Sequence, residues 1–283
     1  MRYLLSIDDT DDLTKSTSTG YIASQIAKVL SKEYGLTVKR GVSRHQLLLE
    51  EGVPYTSHNS TMCIDIEANM AIEEIEEIAE KILYKHMAST ASPGICICNI
   101  DLFEDQDMLM DFGRRAKEFV LTKKDAHELC DTRSHIIAKE LGGKGDGIIG
   151  AVAGVGLRLS GNDGTFRGKI HLNDDISVKD LKDKFNIDDI VNLSTKESLN
   201  NKEIIVNEDP AKIFLRKGKS IVFAYEKKDG KYMLCDRKKS LQMSKYCKHF
   251  EPDNDFNECI SNEKRCENCL YRRFTEQGFI CSR

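Results

Sequence analysis

Residues 3–20 read Tyr3-Leu4-Leu5-Ser6-Ile7-Asp8-Asp9-Thr10-Asp11-Asp12-Leu13-Thr14-Lys15-Ser16-Thr17-Ser18-Thr19-Gly20. Tyr3 to Ile7 is an apolar run of strand length, and four aspartates follow it directly. A hydroxyl-rich run then leads into Gly20 to Lys32, where Ile22, Ile26, Val29 and Leu30 stand at helical spacing. Strand, acidic loop and helix follow one another, and the same grammar recurs downstream. Thr61–Ile66 reads as a strand, Ile72, Ile75, Ala79 and Ile82 as one face of a glutamate-rich helix, and Ile95–Ile100 as a further strand. Asp107–Val120 and Thr122–Leu141 read as helices, the second with Thr122 as N-cap, Asp125 at the third helical position and Gly142 as its stop.

Clustered carboxylates at a strand end are hard oxygen ligands suited to Mg²⁺, which takes a few carboxylates and leaves its other positions to water and phosphate oxygens. Asp8, Asp9 and Asp11 are therefore candidates to hold Mg²⁺ on a nucleotide, with Thr10 beside them. Thr17, Ser18, Thr19 and Gly20 offer hydroxyls and backbone N–H groups at a helix start, where an anion is favoured. An Asp-rich turn followed by Ser/Thr capping is the plain structural alternative.

The densest glycine stretch, GGKGDGIIGAVAGVG at 142–156, contains no GxxxxGK[ST] loop. Gly145, Gly147 and Gly150, with Lys144 as the one cation of the stretch, could cradle phosphates, and a helix beginning near Ile148 would aim its dipole at them. Close backbone packing by Gly150, Gly154 and Gly156 is the competing reading. LRLSGNDG after it reads as a strand and turn.

The chain has 283 residues with 42 Lys+Arg against 46 Asp+Glu, a formal net charge of −4, and 40% hydrophobic residues. That excludes a disordered or collagen-like chain and a wholly basic nucleic-acid sleeve. The length predicts two or three domains. Nothing reaches the roughly 18 apolar residues of a membrane span, so a cytoplasmic protein is expected. Beyond about Ser160 the grammar turns β-rich, at Ile204–Val206, Ala211–Leu215, Ser220–Tyr225 and Lys231–Cys235, the last two joined as a hairpin. Ala211 to Lys245 holds eleven Lys+Arg against three Asp+Glu. With Phe214, Phe223, Tyr225 and Tyr232 interleaved, it reads either as a single-strand RNA surface or as a hairpin with one buried face.

Five of the ten cysteines, Cys247, Cys259, Cys266, Cys269 and Cys281, crowd the C-terminal segment. In a reducing compartment such a cluster, with one C-x-x-C, reads as a metal site. Zinc is expected, structural in role, with His249 available and an iron–sulfur cluster as the rival.

Taken in order, IDDTD at 7–11, the hydroxyl run ending at Thr19, Val53-Pro54-Tyr55 with a polar turn, Ser92-Pro93-Gly94 and GDGIIGAVAGVG at 145–156 form a set. The set resembles the ATP-dependent kinase-like region, with an adjoining ferredoxin-like element, of the archaeal 2-agmatinylcytidine synthetases that modify an isoleucine tRNA. The match covers roughly residues 1–157. The resemblance implies ATP and Mg²⁺ at Asp8, Asp9 and Asp11, a phosphate-accepting hydroxyl at Ser18 or Thr19, and His45 and His58 near the nucleotide. Thr56, Ser57, His58 and Asn59 stand where that family has Lys and Arg, and the basic run before the glycine stretch thins to Lys139 and Lys144. No later stretch matches the family's other domains, so agmatine transfer is not expected.

The expected architecture is α+β: residues 1–160 an ATP-binding kinase-like region with a mixed sheet, 161–245 a basic β-rich module, and 246–283 a Cys-rich metal-binding segment. The expected activity is ATP/Mg²⁺-dependent phosphoryl transfer or ligation tied to tRNA modification, with the acceptor and oligomeric state open. A non-catalytic RNA-binding protein with a zinc ribbon, or a protein with a C-terminal iron–sulfur cluster, are the rivals.

Overall fold

The computed structural model describes residues 1–12, 17–49, 59–192, 195, 197–206, 211–227 and 229–234, and the backbone of 272–275 and 278–281. The chain divides into two compact units, Met1–Ser160 and Gly161–Arg283.

The first unit runs β1 (Arg2–Asp8), α1 (Thr19–Lys32), β2 (Thr37–Gln46), β3 (Ser60–Glu67), α2 (Ile72–His86), β4 (Gly94–Asn99), α3 (Gln106–Arg115), α4 (Lys123–Cys130), β5 (Ile136–Glu140) and α5 (Gly147–Ser160). Its sheet has the order β5-β4-β1-β3-β2, every neighbouring pair antiparallel. The first six elements are a split βαβ, the ferredoxin-like arrangement. Alternation along the strands sends Tyr3, Leu5, Ile7, Ile64, Ile66, Ile95 and Ile97 to the face covered by α1 and α2. Leu4, Cys63, Cys96 and Cys98 go to the opposite face, under α3, α4 and α5. Two helical layers thus seal a sheet apolar on both sides, the usual remedy for such a sheet.

The α5 side of the sheet is built from small residues, and this is why the glycine-rich helix lies so close. A Cβ at Gly154 would sit 2.7 Å from Thr61 Oγ1 and against Ser6 Oγ, and one at Gly156 would strike the Leu109 carbonyl. Ser6, Thr61, Ser43 and His45 are fully buried there and satisfy one another, with Ser6 Oγ 2.9 Å from Thr61 Oγ1 and Ser43 Oγ 2.7 Å from His45 Nε2. Further along, Asp65 takes a two-pronged bond from Arg2 and lies 3.5 Å from the buried Arg158 of α5.

The structure departs from the sequence reading in several places, among them the helix expected over Asp107–Val120, which ends at Arg115. The helix expected over Thr122–Leu141 stops at Cys130, where Arg133 Nη1 donates to the Glu128 and Leu129 carbonyls, and the left-handed His135 (φ 69°) turns the chain into β5. Its start is as expected, since Thr122 and Asp125 form a reciprocal capping box. LRLS is the last turn of α5 instead of a strand, fixed by Arg158 against Asp65. The polar strand β2, with Arg40 (φ 58°) and Gly41 (φ 74°) at a bulge, lacks the alternation that would announce it.

The second unit contains β6 (Thr165–Phe166), β7 (Ile176–Ser177), α6 (Val178–Phe185), β8 (Asp189–Asn192), β9 (Ile204–Val206), β10 (Phe214–Arg216), β11 (Lys219–Glu226), β12 (Tyr232–Leu234), β13 (Arg272–Thr275) and β14 (Gly278–Cys281). The order β6-β10-β11-β12-β9-β7, with β8 parallel to β11, makes a mixed sheet, and β13 pairs with β14 apart from it. Lys217 (φ 48°) and Gly218 (φ 70°) form the two-residue turn between β10 and β11, the conformation that matches strand twist. The expected β11–β12 hairpin is present. Val222 and Ala224 pack on one side of β11 with Val178, Leu181 and Ile205, while Phe214, Ile221 and Phe223 pack on the other.

Candidate functional site

The site is assembled where β1 ends. Asp8 closes the strand, and Asp9 turns the chain in a left-handed conformation (φ 51°), its N–H donating to Asp8 Oδ1 at 2.9 Å. A non-glycine residue held there is uncommon and is often found where function over-determines the backbone. Asp11 Oδ2 then accepts the Thr19 N–H at the start of α1 (3.2 Å), and Asp12 accepts the Thr90 hydroxyl.

The segment between α2 and β4 ties this loop to the glycine stretch. Ala88 N–H donates to the Thr10 carbonyl at 3.0 Å, and the Ser92 N–H faces the Asp9 carboxylate and favours its charged form. The Ser92 carbonyl accepts from Gly147 N–H (3.0 Å) and the Ser92 hydroxyl from Lys144 N–H (2.9 Å). The short segment from Ala88 to Ser92 therefore holds both halves of the site, the acidic loop through Ala88 and the glycine turn through Ser92.

Negative charge is concentrated here. Burial, and then the negative neighbours Asp9 and Asp11, push the Asp8 carboxyl up to about 8 against a bond from the Asp9 N–H. Asp9 is raised by burial, by Asp11 and by Asp146, opposed by the Ser92 N–H. Among the described residues no three His, Cys, Asp or Glu side chains converge as a closed metal site would require. Mg²⁺ asks for less, one or two carboxylates with water and phosphate supplying the rest, and hard oxygens crowded at the cost of raised pKa values suit it.

The hydroxyl run serves the helix start. Ser18 is the N-cap of α1, its Oγ accepting the Tyr21 N–H at 3.2 Å, and Thr17 Oγ1 donates to the His86 carbonyl at 3.2 Å. Thr19 and Gly20 are buried in the first turn. Thr10 is fully buried, and its Oγ1 has no hydrogen-bond partner among the described residues.

In the glycine stretch, close packing is what the geometry displays. A Cβ at Gly150 would run into the Asp8 carboxylate, one at Gly145 (φ 73°) into Glu140, and one at Gly147 would lie 2.5 Å from Gly94 N and 2.8 Å from the Asp8 carbonyl. The expected open N-terminus on α5 is not present. The N–H groups of Gly147, Ile148 and Ile149 donate to the carbonyls of Ser92, Gly145 and Asp146, because the segment before β4 and the tight turn before the helix supply the acceptors. Lys144 is exposed, its backbone fixed on both sides. Lys139 is committed elsewhere, paired with Glu76 at 2.8 Å and Glu80 at 3.2 Å. His45 is enclosed under α5. His58, Cys247, Cys259, Cys266 and Cys269 lie outside the described residues, and of Cys281 only the backbone in β14 is described.

Asp146 and the organising role of Ser92 were missed from sequence. The Ser-Pro-Gly signal was visible, but which groups it joins depends on partners more than 50 positions away. In the second unit, the aromatics proposed for base stacking are largely core: Phe214 and Phe223 are 3% and 2% exposed, with ring centroids 5.4 Å apart. No described helix is long and apolar enough to cross a membrane.

No protein-family model matches the chain, and no curated protein matches it. Among solved structures, a complex of TiaS with an isoleucine tRNA and ATP is 25% identical over 55% of this chain and 36% of that chain, with a TM-score of 0.48. A tRNA fluorescent labeling enzyme is 26% identical over the same shares, with a TM-score of 0.47. Apo TiaS, an agmatidine synthetase for an isoleucine tRNA, is 24% identical over 55% of this chain and 35% of that chain, with a TM-score of 0.46. The chain thus spans little more than a third of the length of the chains it matches. The similarity to TiaS covers a segment of about 55% of this chain.

Proposed function

We propose that the Met1–Ser160 unit binds ATP with Mg²⁺ and transfers a phosphoryl group in the modification of a tRNA nucleoside. The observation that carries this reading is the segment from Ala88 to Ser92, which joins a crowded group of carboxylates, through Ala88 N–H on the Thr10 carbonyl, to the Lys144 turn, through the Ser92 hydroxyl, at one end of the sheet. The ordered motifs at 7–11, 92–94 and 145–156, resembling those of the synthetase family, support the nucleotide and the tRNA acceptor.

One or two of the carboxylates of Asp8, Asp9 and Asp11 would hold Mg²⁺, which supplies charge neutralisation to the triphosphate when bound. Asp8 and Asp9, raised in the ligand-free state by burial and by neighbouring carboxylates, give up protons when a cation arrives. Lys144 contributes a further positive charge, since its ammonium is exposed while its backbone is fixed. Ser18 is exposed and its hydroxyl proton is not used by the cap, so it is the acceptor we favour over the buried Thr19. Positioning and charge would carry most of the catalysis, as in phosphoryl transfer generally.

Calorimetry of ATP binding with and without Mg²⁺ tests this on the wild type and on Asp8→Asn with Asp11→Asn, folding being checked by circular dichroism. Mg²⁺-dependent binding that the substitutions abolish is the expected result. No binding by a folded wild type at millimolar nucleotide sinks the proposal.

A further inference from the structure

A second polar cluster lies behind the glycine turn. Lys123, at the start of α4, donates from Nζ to the Lys144 carbonyl at 2.6 Å and to Glu140 Oε2 at 2.9 Å. Glu140, at the end of β5, offers its other oxygen to His127 Nε2 at 2.8 Å, and His127 Nδ1 is 3.1 Å from Asp131. Gly145, left-handed at φ 73°, leaves just the space the Glu140 side chain fills.

The cluster fixes the residue that the nucleotide site needs most. Lys144 has its N–H on Ser92 and its carbonyl on Lys123, so the peptide planes on both sides of its Cα are set. Ser92 holds the turn from the segment before β4, and Lys123 holds it from α4. We infer that Lys123, Glu140 and His127 are positioning residues for the Lys144 turn, and that the charge on His127 makes nucleotide affinity depend on pH.

The dependence follows from counting donors. A protonated His127 donates from both ring nitrogens, to Glu140 and to Asp131. A neutral ring keeps one N–H and turns a lone pair toward the other carboxylate, so one bond is lost. The groups facing the ring are Glu140 from β5 and Asp131 from α4, with Lys123 on the far side of Glu140. From α5 there is none, since its one charged residue, Arg158, is bonded to Asp65. Bonds to Glu140 first, and then to Asp131, raise the His127 pKa above its ordinary value. As pH rises and the ring loses its charge, the turn loosens.

The nucleotide part of this inference rests on the proposed function; the latch itself does not. Hydrogen exchange of the 142–147 amides is therefore measured in the ligand-free protein from pH 6 to 8.5, corrected for intrinsic rates, alongside calorimetry of ATP with Mg²⁺. Wild type is expected to lose protection of these amides as pH rises; because deprotonation of Asp8 and Asp9 raises Mg²⁺–ATP affinity over the same range, the latch is read as a loss of about tenfold relative to His127→Gln, the scale of losing one charge-assisted bond. His127→Gln and Glu140→Gln should flatten the protection profile and leave affinity rising with pH more steeply than in wild type, Lys123→Met should lower affinity at every pH, and Lys123→Arg should restore it. Flat protection in wild type, or a Lys123→Met turn as protected as wild type, overturns the latch. Intact pH-dependent protection without ATP binding at any pH upholds the latch and removes the nucleotide reading alone.

Discussion

Replacing Asp8 by Asn should make the ligand-free protein more stable, and increasingly so as pH rises. The Asp8 carboxyl is pushed from an ordinary 3.8 up to about 8, first by burial and then by Asp9 and Asp11. Between those values the folded protein holds a proton that the unfolded chain has released. Stability is then fully present below the unfolded value and is lost as pH rises through the folded one, at about 1.4 kcal/mol per pH unit. At pH 7, some three units above the unfolded value, the accumulated loss is about 4 kcal/mol as an upper bound. Asparagine has no proton to lose and keeps the Oδ1 acceptor that Asp9 N–H uses. Urea denaturation of both proteins from pH 4.5 to 9 measures the difference. The curves should coincide near pH 4.5, diverge steadily and run parallel again above about pH 9. A constant offset across the range would refute the argument that burial and like charge destabilise Asp8. The same variant should bind ATP with Mg²⁺ more weakly, so stability and ligand affinity move in opposite directions, as at other sites built from crowded charges.

Asp65→Ala should destabilise by about 3–5 kcal/mol, because it leaves the Arg158 guanidinium buried without its carboxylate; Asp65→Leu with Arg158→Met should recover much of this in a double-mutant cycle by urea denaturation. Gly154→Ala should cost about 1–2 kcal/mol despite the better helix former, since its Cβ meets Ser6 and Thr61 across the α5–β1 contact, and a more stable variant would refute that packing. Ser18→Ala should lose about 1 kcal/mol of α1 capping and Ser18→Asp little of it. If Ser18 is the phosphate acceptor, mass spectrometry after incubation with ATP will find the modification in wild type and not in Ser18→Asp.

Much of the first unit was legible in its sequence. Apolar runs of strand length, helical spacing in 20–32 and 72–82, and the Thr122–Asp125 cap all report local preferences, which the folded chain keeps. The misses share one cause. β2 is polar because its side chains are only partly covered, and β5 merges with α4 because Asp131 to His135 carries no proline or glycine to mark the break. Both are strands by virtue of the neighbour they pair with, β3 and β4, and no local window contains that neighbour.

The site divides the same way. Sequence alone determined that carboxylates crowd one strand end, that hydroxyls precede α1 and that small residues dominate 142–156, because composition and order need no partner. Tertiary structure decided what those groups do. It closed the N-terminus of α5 on its own turn, gave Lys139 to Glu76 and Glu80, enclosed His45, and turned Phe214 and Phe223 into core. It also brought Ser92 between Asp9 and Lys144, and Lys123 behind that turn. Hydrogen bonds and desolvation depend on distances of a few ångströms between residues far apart in the chain, and folding alone sets those distances.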